Sequence, residues 1–313
     1  MELKSTNKAF GGEVRKYTHA STATGTDMTF SVYVPPAASL AKCPVIYYLS
    51  GLTCTDDNAP PFCTALSSVQ KGGAFQACAE LGCMMVFPDT SPRGDDVPDD
   101  DAYDLGKGAG FYVDATADPW AKNFKMYSYV TQELPALIES NLPAAPGLKS
   151  ICGHSMGGHG ALTIALKSPD AWASTSAFAP ICNPTECPWG QKAFAAYGVD
   201  GAAHDATTLL KAAGAAVYPD ILIDQGLDDQ FLEEQLGVDA FQAAAKSVGQ
   251  KVSIRKHAGF DHSYFFISSF MADHVKFHAD ALNKKAESAL VDVAVADDAA
   301  LAEFAKTAGK PIT

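Results

Sequence analysis

The chain has 313 residues, 47% hydrophobic and 19% charged, with 25 glycines and 18 prolines, a composition that excludes a wholly disordered chain, a collagen-like repeat and a coiled coil. Its 36 acidic against 23 basic residues leave a formal charge of −13, which repels phosphate backbones and anionic lipid, so neither nucleic acid nor a membrane is an expected partner. No apolar run approaches the ~20 residues that span a bilayer, and residues 1–10 are polar with no signal-peptide core, which predicts a soluble cytoplasmic protein.

Taken in chain order, residues 29–34 alternate and stop at Pro35-Pro36, the pattern of an antiparallel edge strand. Residues 45–49 (VIYYL), 84–87 (MMVF) and 221–223 (ILI) are short apolar runs that suit strands buried on both faces; 174–179 and 252–257 are weaker strand patterns. Helical spacing falls at 127–140, 157–166, 239–248 and 264–282. This alternation predicts a mostly parallel sheet covered on both faces by helices, with ligands at the carboxyl ends of the strands. Residues 95–104 read as a solvated acidic loop, since the Gly and terminal Glu of a calcium loop are missing. The eight cysteines form no C-x-x-C pair, and several sit in apolar runs, which points to free thiols in a reducing cytosol.

The sharpest local pattern is Gly153-His154-Ser155-Met156-Gly157, a G-x-S-x-G between a short apolar run and a helical stretch. A serine at the tip of a strained strand-to-helix turn needs neighbours without bulk, so that the backbone bends and Oγ projects. A hydroxyl also needs a base, and the base a carboxylate. In this kind of chain these follow in the order Ser, Asp or Glu, His. The run at 221–223 leads into Gly226-Leu227-Asp228-Asp229, and Asp261-His262 follows the 252–257 strand pattern. His262 is the preferred base over His257, which lies inside that pattern; Asp229 is preferred over Asp228, because a loop leaving Gly226 must turn back before reaching His262. His154 and His159 read as packing or helix-surface residues. The oxyanion needs two backbone donors. Met156 N–H follows the nucleophile directly, and Leu52 N–H, in the turn after residues 45–49, is the chosen second.

Longer segments carry a resemblance. LSGLTCT (49–55), PDTSPRG (88–94), GAGFYVDA (108–115), GHSMGGHGAL (153–162), AFAPICNPTECPW (177–189), ILIDQGLDDQFL (221–232) and DHSY (261–264) closely resemble the S-formylglutathione hydrolase (esterase D) family, from about residue 10 to 282. The resemblance implies an α/β-hydrolase fold and a homodimer without metal or organic cofactor. It implies cleavage of S-formylglutathione to formate and glutathione, the last step of glutathione-dependent formaldehyde disposal. It also implies a triad of Ser155, Asp229 and His262, oxyanion donors Leu52 and Met156, and positions near the site for Cys54 and Trp189, whose plain alternative role is cleft packing. Residues 58–76 look longer than the family's stretch, and the Ala-rich residues after Asn283 have no counterpart in it. The expected organisation is one domain over 1–283 and an extension over 284–313. A general short-chain carboxylesterase and a non-catalytic hydrolase-like binding protein are the competing expectations.

Overall fold

Residues 43–49 show why the sheet forms where it does: all seven side chains of the strand Cys43–Leu49 are buried, which requires neighbours on both edges and cover on both faces. The structure is a computed structural model that describes residues 1–58 and 73–296. Its strands are β1 (Glu2–Ala9), β2 (Gly12–Ala20), β3 (Asp27–Val34), β4 (Cys43–Leu49), β5 (Met84–Pro88), β6 (Ala144–His154), β7 (Thr175–Phe178), β8 (Ile221–Gly226) and β9 (Val252–His257). They make one nine-stranded sheet in the order β1-β2-β3-β5-β4-β6-β7-β8-β9. From β5 to β9 every pairing is parallel, as the alternation of strand and helix predicts.

The expectation for residues 29–34 is corrected. The strand is antiparallel and ends before Pro35, but it is interior, paired with β2 on one side and β5 on the other. The edge belongs to β1, joined to β2 by a two-residue turn in which Phe10 and Gly11 both have positive φ, 46° and 74°. The sequence conceals this hairpin because six of the eight β1 side chains are exposed, so β1 carries no apolar repeat.

Helices cover both faces. The longer ones are α1 (Ala74–Leu81), α2 (Leu134–Asn141), α3 (Met156–Lys167), α4 (Pro188–Tyr197), α5 (Ala206–Ala213), α6 (Val238–Val248) and α7 (Tyr264–Ala296). The helical pattern at 127–140 is realised as α2 preceded by a wider π turn over Tyr129–Glu133. α7 runs through position 283 without a break, and Leu282 and Ala286 are both buried in the core. Most of the irregular stretch 58–76 and the end of the chain beyond 296 lie outside the described residues. Among those described, no helix is long and apolar enough to cross a membrane, and seven cysteines are free and buried. The acidic loop is largely exposed; Asp99 accepts the backbone N–H groups of Asp100 and Lys107, and Asp104 pairs with Lys192.

Candidate active site

β6 ends at His154, α3 begins at Met156, and Ser155 between them has φ 58° and ψ −119°, a conformation costly for any residue but glycine. Its neighbours explain how the turn closes. A Cβ on Gly157 would lie 1.9 Å from the Leu49 carbonyl oxygen, and one on Gly153 2.2 Å from the Gly157 oxygen, so β6, α3 and the end of β4 meet backbone to backbone. Ser155 N–H donates to Phe178 O at 3.0 Å, fixing the turn to β7. Because α3 starts at Met156, its first N–H groups have no partner within the helix and its positive end faces the serine.

The loops after β8 and β9 are stitched together in the same way. A Cβ on Gly226 would meet Phe260 O at 2.3 Å. Leu227 N–H donates to His257 O, and Asp228 N–H to Phe260 O, each at 2.9 Å. This brings His262 Nδ1 to 2.6 Å from Asp229 Oδ2. Asp229 is buried and further oriented by Gln225 Nε2 (3.2 Å) and by the N–H of Phe231 (2.9 Å), so each carboxylate oxygen is held. The rejected Asp228 is exposed. The runner-up base His257 points to another carboxylate, with Nε2 3.1 Å from Asp224.

Ser155 and His262 line one cavity of about 330 Å³ together with Leu52, Cys54, Trp189 and His154. Every sequence-proposed residue is therefore in or directly behind one site: Met156 follows the serine, and Asp229 backs the histidine. The turn carrying Leu52 lies hard against the serine, since a Cβ on Gly51 would be 3.2 Å from Ser155 Cβ. Cys54 is buried with Sγ 3.3 Å from the Tyr264 hydroxyl, and burial pushes its thiol pKa up, which keeps it protonated rather than reactive. Trp189 Nε1 donates to the Tyr103 hydroxyl at 3.1 Å, and its ring lies 4.7 Å from that of Phe231.

His159 is packing, as expected: it is fully buried and its Nε2 lies 3.0 Å from Phe111 O. His154 is different, for its ring lines the cavity against His262. Sequence reasoning also missed Tyr103, Phe231 and Tyr264 in the cavity wall; the last stands in the DHSY segment, where its place after His262 was the available signal. A larger groove of about 660 Å³, around Trp172, Tyr218 and Phe277, lies at the amino ends of β7, β8 and β9, away from the serine. Among the described residues no group of three or more His, Cys, Asp or Glu is placed to hold a metal ion.

A mostly parallel sheet with a serine at a strained strand-to-helix turn and a carboxylate-held histidine on later loops defines the α/β-hydrolase class of fold. The family described as "Putative esterase" matches residues 21–277. The S-formylglutathione hydrolase of Paracoccus denitrificans is 52% identical over 286 residues, 90% of this chain and 98% of that protein. That of Rattus norvegicus is 51% identical over 90% of this chain and its own whole length. A solved S-formylglutathione hydrolase from Agrobacterium tumefaciens superimposes with a TM-score of 0.84 at 48% identity, over 90% of this chain and 100% of that one. The chain belongs to the esterase family that includes the S-formylglutathione hydrolases.

Proposed function

We propose that the protein hydrolyses the thioester S-formylglutathione to formate and glutathione, with Ser155 as nucleophile, His262 as base and Asp229 as its carboxylate partner. The observation that carries the chemistry is the 2.6 Å contact of His262 with Asp229 at the wall of the cavity that contains Ser155. The substrate is supported by relatives of about half-identical sequence over nearly their full length.

Asp229 holds the Nδ1–H of His262, so Nε2 is free to take a proton. As Ser155 Oγ attacks the formyl carbon its proton passes to Nε2, and the N–H groups of Leu52 and Met156 hold the oxyanion. The C–S bond then breaks and the protonated histidine returns the proton to the sulfur, leaving formyl-serine. A thiol, with an ordinary pKa near 8.5, leaves with less help than an alcohol. Water, deprotonated by the same histidine, attacks the formyl-serine and releases formate and Ser155. Formyl is the smallest acyl group, so selectivity for it requires the part of the cavity wall that meets the acyl group, with Cys54 and Trp189 as the candidates, to stand close enough to exclude longer chains. No step calls for a metal or organic cofactor.

The same reading includes a homodimer in the cytoplasm. Buried free thiols suit a reducing compartment, and light scattering on the purified protein, twice the 32.9 kDa chain mass or once, decides the dimer. A panel of acyl-glutathione thioesters of graded acyl length tests the substrate: kcat/KM highest for formyl supports it, and equal or greater turnover of simple aryl acetates favours a general carboxylesterase.

A further inference from the structure

The turn after β4 is held away from its resting preference. Thr53, a β-branched residue, has φ 66°, in the left-handed region. Cys54 N–H reaches Gly51 O at 3.4 Å, which closes the turn around Leu52 and Thr53. Such a turn keeps its shape only if its surroundings impose it.

Two segments impose it. Tyr112 hydroxyl donates to Ser50 O at 2.9 Å, and Thr53 N–H donates to Gly108 O at 2.9 Å. At the other end the Cys54 carbonyl accepts from the Thr90 hydroxyl and from Arg93 Nη2 at 3.1 Å, so both its lone pairs are engaged. Asp89 aligns the two donors: its carboxylate takes Arg93 Nε at 2.8 Å and Nη2 at 3.1 Å, and Thr90 N–H at 2.7 Å. Ser91 Oγ accepts Gly108 N–H at 2.8 Å, which joins the two segments to each other. Thr90 is fully buried, and both it and Arg93 stand behind the turn, outside the cavity lining.

We propose that Thr90 and Arg93 are positioning residues for the oxyanion donor, holding the Cys54 carbonyl and through it the turn that presents Leu52 N–H to the reacting centre. This rests on the reading that Leu52 receives the oxyanion of a Ser155 attack. Fixed dipoles stabilise a transition state because they need not reorganise when charge develops; a turn free to relax loses that advantage without losing its substrate.

The test compares Thr90→Val, which keeps the shape and removes the hydroxyl, with Thr90→Ser, which restores it. The expected result is a fall in kcat of about 10–100-fold for Thr90→Val with KM little changed, and recovery to within about threefold of the parent in Thr90→Ser. Affinity for a trifluoromethyl ketone that forms the tetrahedral serine adduct falls in step with kcat/KM. Full kcat in Thr90→Val, a loss confined to KM, or a loss that Thr90→Ser does not restore overturns the proposal. If Thr90→Val does not fold, Arg93→Met, at a partly exposed position, is read by the same criteria. Ser155→Ala is measured alongside. Turnover surviving in it overturns the nucleophile reading itself, whereas an inactive Ser155→Ala beside a fully active Thr90→Val overturns the positioning proposal alone.

Discussion

The rings of His154 and His262 lie 4.4 Å apart, centroid to centroid, with their planes tilted by 45°. Burial, and after it the nearness of His262, holds the His154 pKa well below its ordinary value, so this neighbour is neutral near pH 7. In the proposed reaction His262 becomes an imidazolium twice per turnover, and a neutral aromatic ring beside it costs that charge nothing. A cation in its place repels it by up to about 4 kcal/mol at this spacing. His154→Phe is therefore expected to keep kcat within about threefold, and His154→Lys to lose at least about tenfold. Steady-state kinetics on samples matched for melting temperature check both, and equal activity in the two variants contradicts the account.

Asp229 and Asp228 are adjacent in sequence and opposite in environment. Only Asp229 is buried and in contact with His262, at 2.6 Å. Asp229→Asn leaves the histidine without its acceptor and favours the wrong tautomer, with an expected fall in kcat of about 10³–10⁴-fold. Asp228→Asn, on the exposed side of the same turn, is expected to stay within about twofold. Comparable losses in both variants would remove the assignment.

The parts of the site legible in the sequence were those whose requirement is local. Gly153 and Gly157 mark the serine turn because their missing side chains are where β4 and α3 backbones pass. The order of Ser155, Asp229 and His262 follows from strand ends that a parallel sheet must bring to one rim. What was hidden depends on distant contact. Tyr103 and Phe231 reach Trp189 from separate loops, a contact that forms only when the folded chain brings those loops together. His154 occupies the unconstrained position of the motif, so its contact with His262 appears only when the β9 loop folds over β6. The β1–β2 hairpin was missed because an exposed edge needs no hydrophobic period.

Asp56 predicts an unusual pH dependence of stability. Burial, then the neighbouring Asp57, push its carboxyl from an ordinary 3.8 up to about 6, while Lys16 at 3.2 Å and the Ser31 hydroxyl at 2.9 Å offset this only in part. Below about pH 4 the group is protonated folded or unfolded and contributes nothing. As pH rises toward 6 the unfolded chain loses its proton first, so stability falls, and the penalty, on the order of 3 kcal/mol, is complete above that pH. Asp56→Asn still accepts from Ser31 and leaves Lys16 its Asp57 partner at 2.5 Å. The variant is expected to melt a few degrees above the parent at pH 8 and at the same temperature near pH 4. A variant that melts below the parent at pH 8 shows the carboxylate to be stabilising after all.

The two rival bases, His257 and His262, separate by what each one holds. His257 stacks on Phe270 at 3.8 Å and shares Asp224 with Arg255 and His274. Asp224 is fully buried; burial raises its pKa, but the bonds from His274 and Arg255 outweigh that and hold it well below the ordinary carboxylate range. Its contribution is thus present above that ordinary range and is lost as pH falls below it. This group of side chains ties β8 and β9 to α7, and none of its members lines the cavity with Ser155. His257→Phe removes one of several partners of Asp224 and keeps the stacked ring, so it is expected to lower the melting temperature while kcat stays within about twofold. Asp224→Asn leaves the buried His274 without its carboxylate and Arg255 with Asp273 as its remaining partner, a change expected to destabilise by about 1–3 kcal/mol. Its kcat, measured below its own melting range, is expected to remain near the parent's. His262→Ala, in contrast, is expected to abolish turnover with a small change in melting temperature. If His257→Phe instead stops turnover in a folded protein, the base lies at the end of β9 and the pairing of His262 with Asp229 is structural.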